Sequence, residues 1–175
     1  VWGGDMTQNA FYRLFLKEIS DLYSAENQLV EALPKMAEAA TTPELKEALE
    51  RHLSETKKHV ARLDSIFSML NENSFKETCE AMEGLIYEAN EIIQNEAPSV
   101  VKDAALIGAT QRIEHYEIAG YGVAKTFATQ LELYDIAELL KESLEEEGNA
   151  DKHLTVIAEG GFFTTGINKR AKNIS

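Results

Sequence analysis

Apolar residues return at steps of three, four and seven through four long segments of this chain, with almost nothing to interrupt them. Only three prolines and ten glycines punctuate 175 residues, and no stretch alternates apolar and polar side chains as a strand would. Such a period gives each segment one apolar helical face, which must pack against its neighbours to leave water. The expected fold class is therefore all-α: a four-helix bundle of two antiparallel hairpins, with a short crossover helix and a C-terminal tail.

The first helix is expected after Thr7 and through Ala40, with Phe15, Leu22, Leu29 and Met36 on one row and Ile19, Glu26, Leu33 and Ala40 on the next. Pro34 removes a backbone donor inside it and is a candidate kink. Thr42 as N-cap, Pro43 at the first helical position and Glu44 in the first turn start the second helix. It runs to about Leu70, with Leu45, His52, His59 and Ile66 on one row and Leu49, Thr56, Leu63 and Leu70 beside it. After Asn71-Glu72-Asn73-Ser74, an amphipathic helix of about twenty residues carries Cys79, Met82, Ile86, Ala89 and Ile93 on one face. A long helix then spans about Pro98 to Gln130, and a last one about Tyr134 to Glu159, stopped by Gly160-Gly161. Residues 7–160 thus form the bundle, and 161–175 a tail that wraps over it or over a partner. Residues 1–6 read as a remnant of expression.

Thirty acidic against seventeen basic residues give a formal charge of −13, which argues against nucleic acid as the main partner. No apolar run is long enough for a membrane span, and Cys79, alone, can form no internal disulfide. A cytoplasmic location is expected.

Six acidic residues lie in or beside the inward rows of the four long helices. On the fourth helix, Glu114 replaces an apolar residue in the row Ile107, Tyr121, Ala128, and Glu117 does so in the row Thr110, Ala124, Leu131. Glu26 and Glu55 lie about 15 and 13 residues from the first turn, so their levels differ by only about 3 Å. Around the second turn, Glu114/Glu117 and Glu147/Asp151 sit about 16 residues to either side. Stacked in register, these carboxylates and one or two imidazoles converge in the interior. Without cations such a cluster repels itself strongly. Two metal ions remove the difficulty, because bridging carboxylates and a few histidines are the ligands of di-iron and di-manganese bundles. The usual signature adds Glu-x-x-His on two helices. Here Glu55 is followed by Lys58, with His59 and His52 nearby, and Ala150 stands where Glu147 would have its histidine. The candidate ligands are Glu26, Glu55, His59, Glu114, Glu117, Glu147 and Asp151, and the oxygen-rich set favours iron or manganese.

The stretches Asp21-Leu22-Tyr23-Ser24-Ala25-Glu26, Ala32-Leu33-Pro34-Lys35-Met36-Ala37, His52-Leu53-Ser54-Glu55-Thr56, Ala81-Met82-Glu83-Gly84-Leu85, Glu114-His115-Tyr116-Glu117-Ile118-Ala119 and Glu145-Glu146-Glu147 resemble the YciE/YciF family of bacterial ferritin-like stress proteins. The resemblance covers the chain to about residue 160. It implies a rubrerythrin-like, ferritin-like bundle with a dimetal centre, and a homodimer. Glu26, Glu55, Glu114, Glu117 and Glu147 match the ferritin-like carboxylate positions; His59 and Asp151 are additions from spacing.

The expected function is a dimetal stress-response oxidoreductase acting on peroxide, dioxygen or ferrous iron. The contrasting expectation is a helical structural or interaction protein whose inner acids are protonated or hydrogen-bonded. Tyr23 and Tyr121, one turn from Glu26 and Glu117, are expected to hydrogen-bond carboxylates. Cys79 reads as core filler, and Glu145 and Glu146 as solvated surface.

Overall fold

A computed structural model describes residues 9–74 and 76–174; the expectation for residues 1–6 lies outside them. The helices are α1 Ala10–Ala39, α2 Pro43–Leu70, α3 Glu80–Asn95, α4 Val100–Gln130, α5 Tyr134–Glu159 and α6 Ile167–Lys172. Helices α1 with α2 and α4 with α5 form two hairpins, while α1 also packs on α4 and α2 on α5. The crossover helix α3 lies against α1 and α4.

Local chemistry sets the helix ends. Asn9 caps α1 by accepting the Phe11 N–H at 2.8 Å, and Ser99 caps α4 by accepting from Lys102 N–H. Asn71 ends α2 in the left-handed region at φ 53°, which asparagine tolerates. Gly160 turns the chain out of α5 at φ 89°, where a Cβ would meet the Thr164 carbonyl oxygen and the Gly166 nitrogen at 2.5 Å. No side chain other than hydrogen fits there.

One expectation changes. The crossover helix begins at Glu80 and is 16 residues long, with Cys79 as its N-cap residue, its side chain buried in the core beside Met82 and Ala89. Serine and glutamine of α1 hold that start instead: Ser24 Oγ accepts the Cys79 N–H at 2.9 Å, and Gln28 donates to the Cys79 carbonyl at 3.1 Å. The tail contains α6, which packs on α4 and α5 with Ile167 fully buried.

The apolar core comes in two halves. One holds Leu29, Leu33, Met36, Leu45, Leu49, Leu106, Ile113 and Leu154; the other holds Phe15, Ile19, Leu22, Leu63, Ile66, Tyr121, Ala128 and Leu140. Each full burial of such a side chain contributes about 1.5–3 kcal/mol. On every long helix one polar layer separates the halves: Glu26 between Leu22 and Leu29, His52 to His59 between Leu49 and Leu63, Glu114 and Glu117 between Ile113 and Tyr121, Glu147 between Leu140 and Leu154. The bundle is registered so that its buried charges share a level.

The turn between α1 and α2 is tied to α4 by Asp103, whose buried carboxylate accepts the Thr41 and Thr42 N–H groups at 2.8 and 2.7 Å. Asp103→Ala leaves both amides unpaired. It is expected to cost about 3 kcal/mol, seen as a melting temperature lowered on the order of 10 °C. A thermal melt of metal-free protein measures it.

Candidate metal centre

The polar layer is built by side chains that their helices cannot turn away. His52, Thr56 and His59 follow one another at four and three residues on α2, so all three face inward. Glu114 and Glu117 do the same on α4, while Glu26 and Glu147 come singly from α1 and α5. His52 is 4% exposed, and His59, Glu26, Glu114, Glu117 and Glu147 are 0% exposed.

Ligand atoms of these residues fall into two groups, each within 4.8 Å: His52, Glu114, Glu117 and Glu147 in one, Glu26, His59 and Glu147 in the other. Glu147 belongs to both. Its Oε1 lies 2.8 Å from His59 Nδ1 and its Oε2 lies 3.9 Å from His52 Nε2. His52 Nε2 is also 3.0 Å from Glu114 Oε1, and His59 Nδ1 is 3.1 Å from Glu26 Oε1.

These contacts do not align as hydrogen bonds. Both carboxylate oxygens of Glu114, Glu117 and Glu147, both ring nitrogens of His52, His59 Nδ1 and Glu26 Oε2 have no hydrogen-bond partner. Orphaned buried groups of this kind are each expensive, and these ten in one layer are what a cation would satisfy. Four glutamates and two histidines equal the ligand set of a dimetal carboxylate bundle, redistributed so that α2 supplies both nitrogens and α4 two carboxylates.

Outer groups orient the inner ones. His59 Nε2 faces Glu146 Oε2 at 2.7 Å, and Arg62 donates to Glu146 at 3.0 Å and to Ser143 Oγ at 2.7 Å. That leaves His59 Nδ1 for the site, the arrangement in which a metal-bound imidazole donates its other N–H to a carboxylate. Glu55 Oε2 stands on the far side of His52, 3.8 Å from Nδ1. The Tyr121 hydroxyl donates to Glu26 Oε1.

Charge coupling shows in the acidities. Burial pushes the Glu117 carboxyl well above its ordinary range, and Glu147, Glu26 and Glu114 add to this. Burial raises Glu147 to about 7, opposed by His59 and reinforced by Glu114. For His59, burial lowers the pKa, but Glu147 and Glu26 outweigh it and bring it to about 10. Burial likewise lowers His52, and Glu114, with Glu55 and Glu147, carries it well above normal.

Residues 11–171 match the DUF892 family, described as a domain of unknown function. The chain belongs to that family. Protein YciF of Escherichia coli strain K12 is 43% identical over 169 residues, 96% of this chain and 99% of YciF. The crystal structure of the E. coli stress protein YciF superposes with a TM-score of 0.82 at 45% identity, covering 85% of this chain and 94% of that one. YcfI of Rhodopseudomonas palustris, titled as a candidate structural protein, gives 0.82 at 39% identity over 90% of this chain and 99% of its own. The all-α bundle and the YciE/YciF resemblance are thereby shown.

Within this DUF892 chain the expected ligands separate. Glu26, His59, Glu114, Glu117 and Glu147 come together, joined by His52. Glu55 and Asp151 do not join these groups. Glu55 is partly exposed beside His52, and Asp151 is taken by Gln111 Nε2 at 3.0 Å and by exposed His115 at 3.3 Å. Glu146, expected as solvated surface, instead pairs with His59 and Arg62. Tyr23 bonds Asp64 on α2 rather than Glu26. Cys79 is buried, with Sγ 3.2 Å from Asp21 Oδ2 and 3.1 Å from the Tyr116 hydroxyl. No described helix is long and apolar enough to cross a membrane.

Proposed function

We propose that this protein is a dimetal carboxylate protein of the stress response, holding two iron or manganese ions and consuming peroxide, with dioxygen or ferrous iron as related substrates. The observation that carries it is the pair of ligand groups sharing Glu147, with their buried atoms unpartnered. Four carboxylates and two imidazoles favour iron or manganese over copper or zinc. When bound, ferrous or manganous ions would supply the two electrons that, with two protons, break the O–O bond of peroxide to give two waters.

The chain's own residues do the rest. Glu147 lies between the histidines and, being common to both ligand groups, would help to hold both ions. Glu26, His59 and His52, Glu114, Glu117 complete the two sides. Tyr121 keeps its proton against Glu26, because burial, with Glu26 and Glu117 added, raises its pKa well above normal. The apolar halves of the core close the layer above and below. The stress role follows the name of the YciF relative, and a cytoplasmic homodimer is part of the same proposal.

Elemental analysis of protein loaded with ferrous or manganous ions tests it. Wild-type protein is expected to hold two ions per chain. Glu114→Ala is expected to lose at least the ion on the His52 side, whereas Glu55→Ala keeps both with affinity weakened about 10–100-fold, as for an outer-sphere partner. Equal stoichiometry in wild type and Glu114→Ala would count against the reading. A structural role without metal is the second reading, favoured by the close His52–Glu114 and His59–Glu147 pairs, which partly balance the layer's charge. It requires that no ion bind and that added metal leave the melting temperature unchanged.

A further inference from the structure

The two sides of the carboxylate layer differ. On the His59 side it is closed, by the Tyr121 hydroxyl on Glu26 and by Glu146 with Arg62 on His59. On the His52 side a cavity of about 270 Å³ opens between α2, α4 and α5. His52 and Glu114 line it, both more than nine-tenths buried and both with unpartnered polar atoms. Leu49 and Leu154 form apolar walls, and Arg51, Asn149 and His153 are exposed around it.

Two small side chains make the room. Ala150 stands three residues after Glu147, where the usual Glu-x-x-His would place an imidazole. Ala48, one turn before His52, lines the cavity from α2. A histidine at 150 would project into space that this chain leaves open.

We propose that this cavity is a binding chamber for a small neutral organic ligand with a hydroxyl-type head and a short alkyl group, an alkyl hydroperoxide in the working protein. The inference deepens the dimetal reading, on which the identity of the substrate rests, by naming the side of entry and the class admitted. Size is the first argument: liquid water occupies about 30 Å³ per molecule, so the chamber exceeds what the two oxygens of hydrogen peroxide require. Head chemistry is the second. An open oxygen of Glu114 accepts an O–H, while an anionic head at the buried end would face Glu114 and Glu55, the cationic Arg51 lying at the exposed rim. The leucine methyls supply the surface for an alkyl group. Reduction of such a ligand would break its O–O bond, take up two electrons from the ferrous or manganous pair and two protons, and release alcohol and water.

The test uses tert-butanol as an unreactive analogue and amide NMR shifts of the full metal-free chain. Saturable shifts are expected at Ala48, Ala150 and Leu154. Ala150→Leu and Ala48→Leu, which fill the chamber from opposite walls, are each expected to weaken binding at least about tenfold, while Ala150→Ser retains it. If one leucine variant fails to fold, the other decides. Absence of saturable shifts, or shifts unaltered by filling, overturns the chamber. Metal stoichiometry measured in parallel separates the two readings. Two ions with no tert-butanol binding leave the dimetal site and remove the chamber; tert-butanol binding without metal supports the chamber and removes the dimetal site.

Discussion

Replacing Glu147 with glutamine is expected to empty both halves of the proposed metal centre at once. Glu147 is the one residue common to the two ligand groups, with one oxygen 2.8 Å from His59 Nδ1 and the other 3.9 Å from His52 Nε2. A site of four ligands that gains 10–16 kcal/mol on binding owes about 3 kcal/mol to each, so losing one weakens an ion roughly a hundredfold. For Glu147→Gln that loss falls on both ions. It is then amplified, because the departure of either cation exposes the other carboxylates to mutual repulsion. Elemental analysis after gel filtration should fall from two ions per chain to near none. Glutamine preserves shape, and the circular dichroism and gel-filtration profile of the metal-free variant, rather than its melting temperature, separates ligand loss from misfolding, because the close Glu147–His59 pair is lost with the carboxylate. Retention of both ions by Glu147→Gln would remove Glu147 as a bridge and with it the shared-site geometry.

The sequence made the level of the site legible and left its nitrogens harder to read. Glu26, Glu114, Glu117 and Glu147 stand on inward rows, and each is fully buried. On α2 the row through Leu45, His52, His59 and Ile66 already pointed inward, whereas Glu55 lies beside it. A Glu-x-x-His template favours the glutamate; helical geometry favours the two histidines seven residues apart. Asp151 illustrates a different limit. Its row on α5, Leu144, Asp151 and Ala158, runs along the edge of the buried face, where Leu144 and Asp151 are only half-buried. There Gln111 and His115 of α4 hold the Asp151 carboxylate. Glu146 was beyond any reading of α5 alone, since its partners His59 and Arg62 belong to α2. Its position next to Glu147 could only suggest surface.

Metal-free protein is expected to lose stability as pH rises from 5 to 9, and bound metal to reverse that slope. The sign follows from the direction of each shift. Glu147 is raised to about 7, and Glu117 is raised above its usual range. A carboxyl with a raised folded pKa binds more protons in the native state, so its contribution is present below about pH 4.5 and lost as pH climbs through the folded value. His59, raised to about 10, and His52, also raised, contribute fully below about pH 6.5 and lose that contribution at higher pH. Both kinds of group therefore push the same way between pH 5 and 9. Glu55, lowered by the neighbouring His52, acts at more acidic pH, and His153, lowered by burial and by Arg51, is largely exposed and opposes only weakly near pH 6. Taken singly, the Glu147 and His59 shifts are worth about 3–5 kcal/mol each, and because the groups interact the sum is smaller. The melting temperature of chelated protein should drop on the order of 10 °C across this range. Cation binding displaces the same protons, so affinity and the stabilisation it brings grow with pH. Adding manganous ion should raise the melting temperature little at pH 5 and strongly at pH 8, with proton release detectable by calorimetry in buffers of different ionisation enthalpy. A chelated protein equally stable at pH 5 and pH 9 would mean that the layer does not hold these protons. A manganous ion effect independent of pH would place the cation elsewhere.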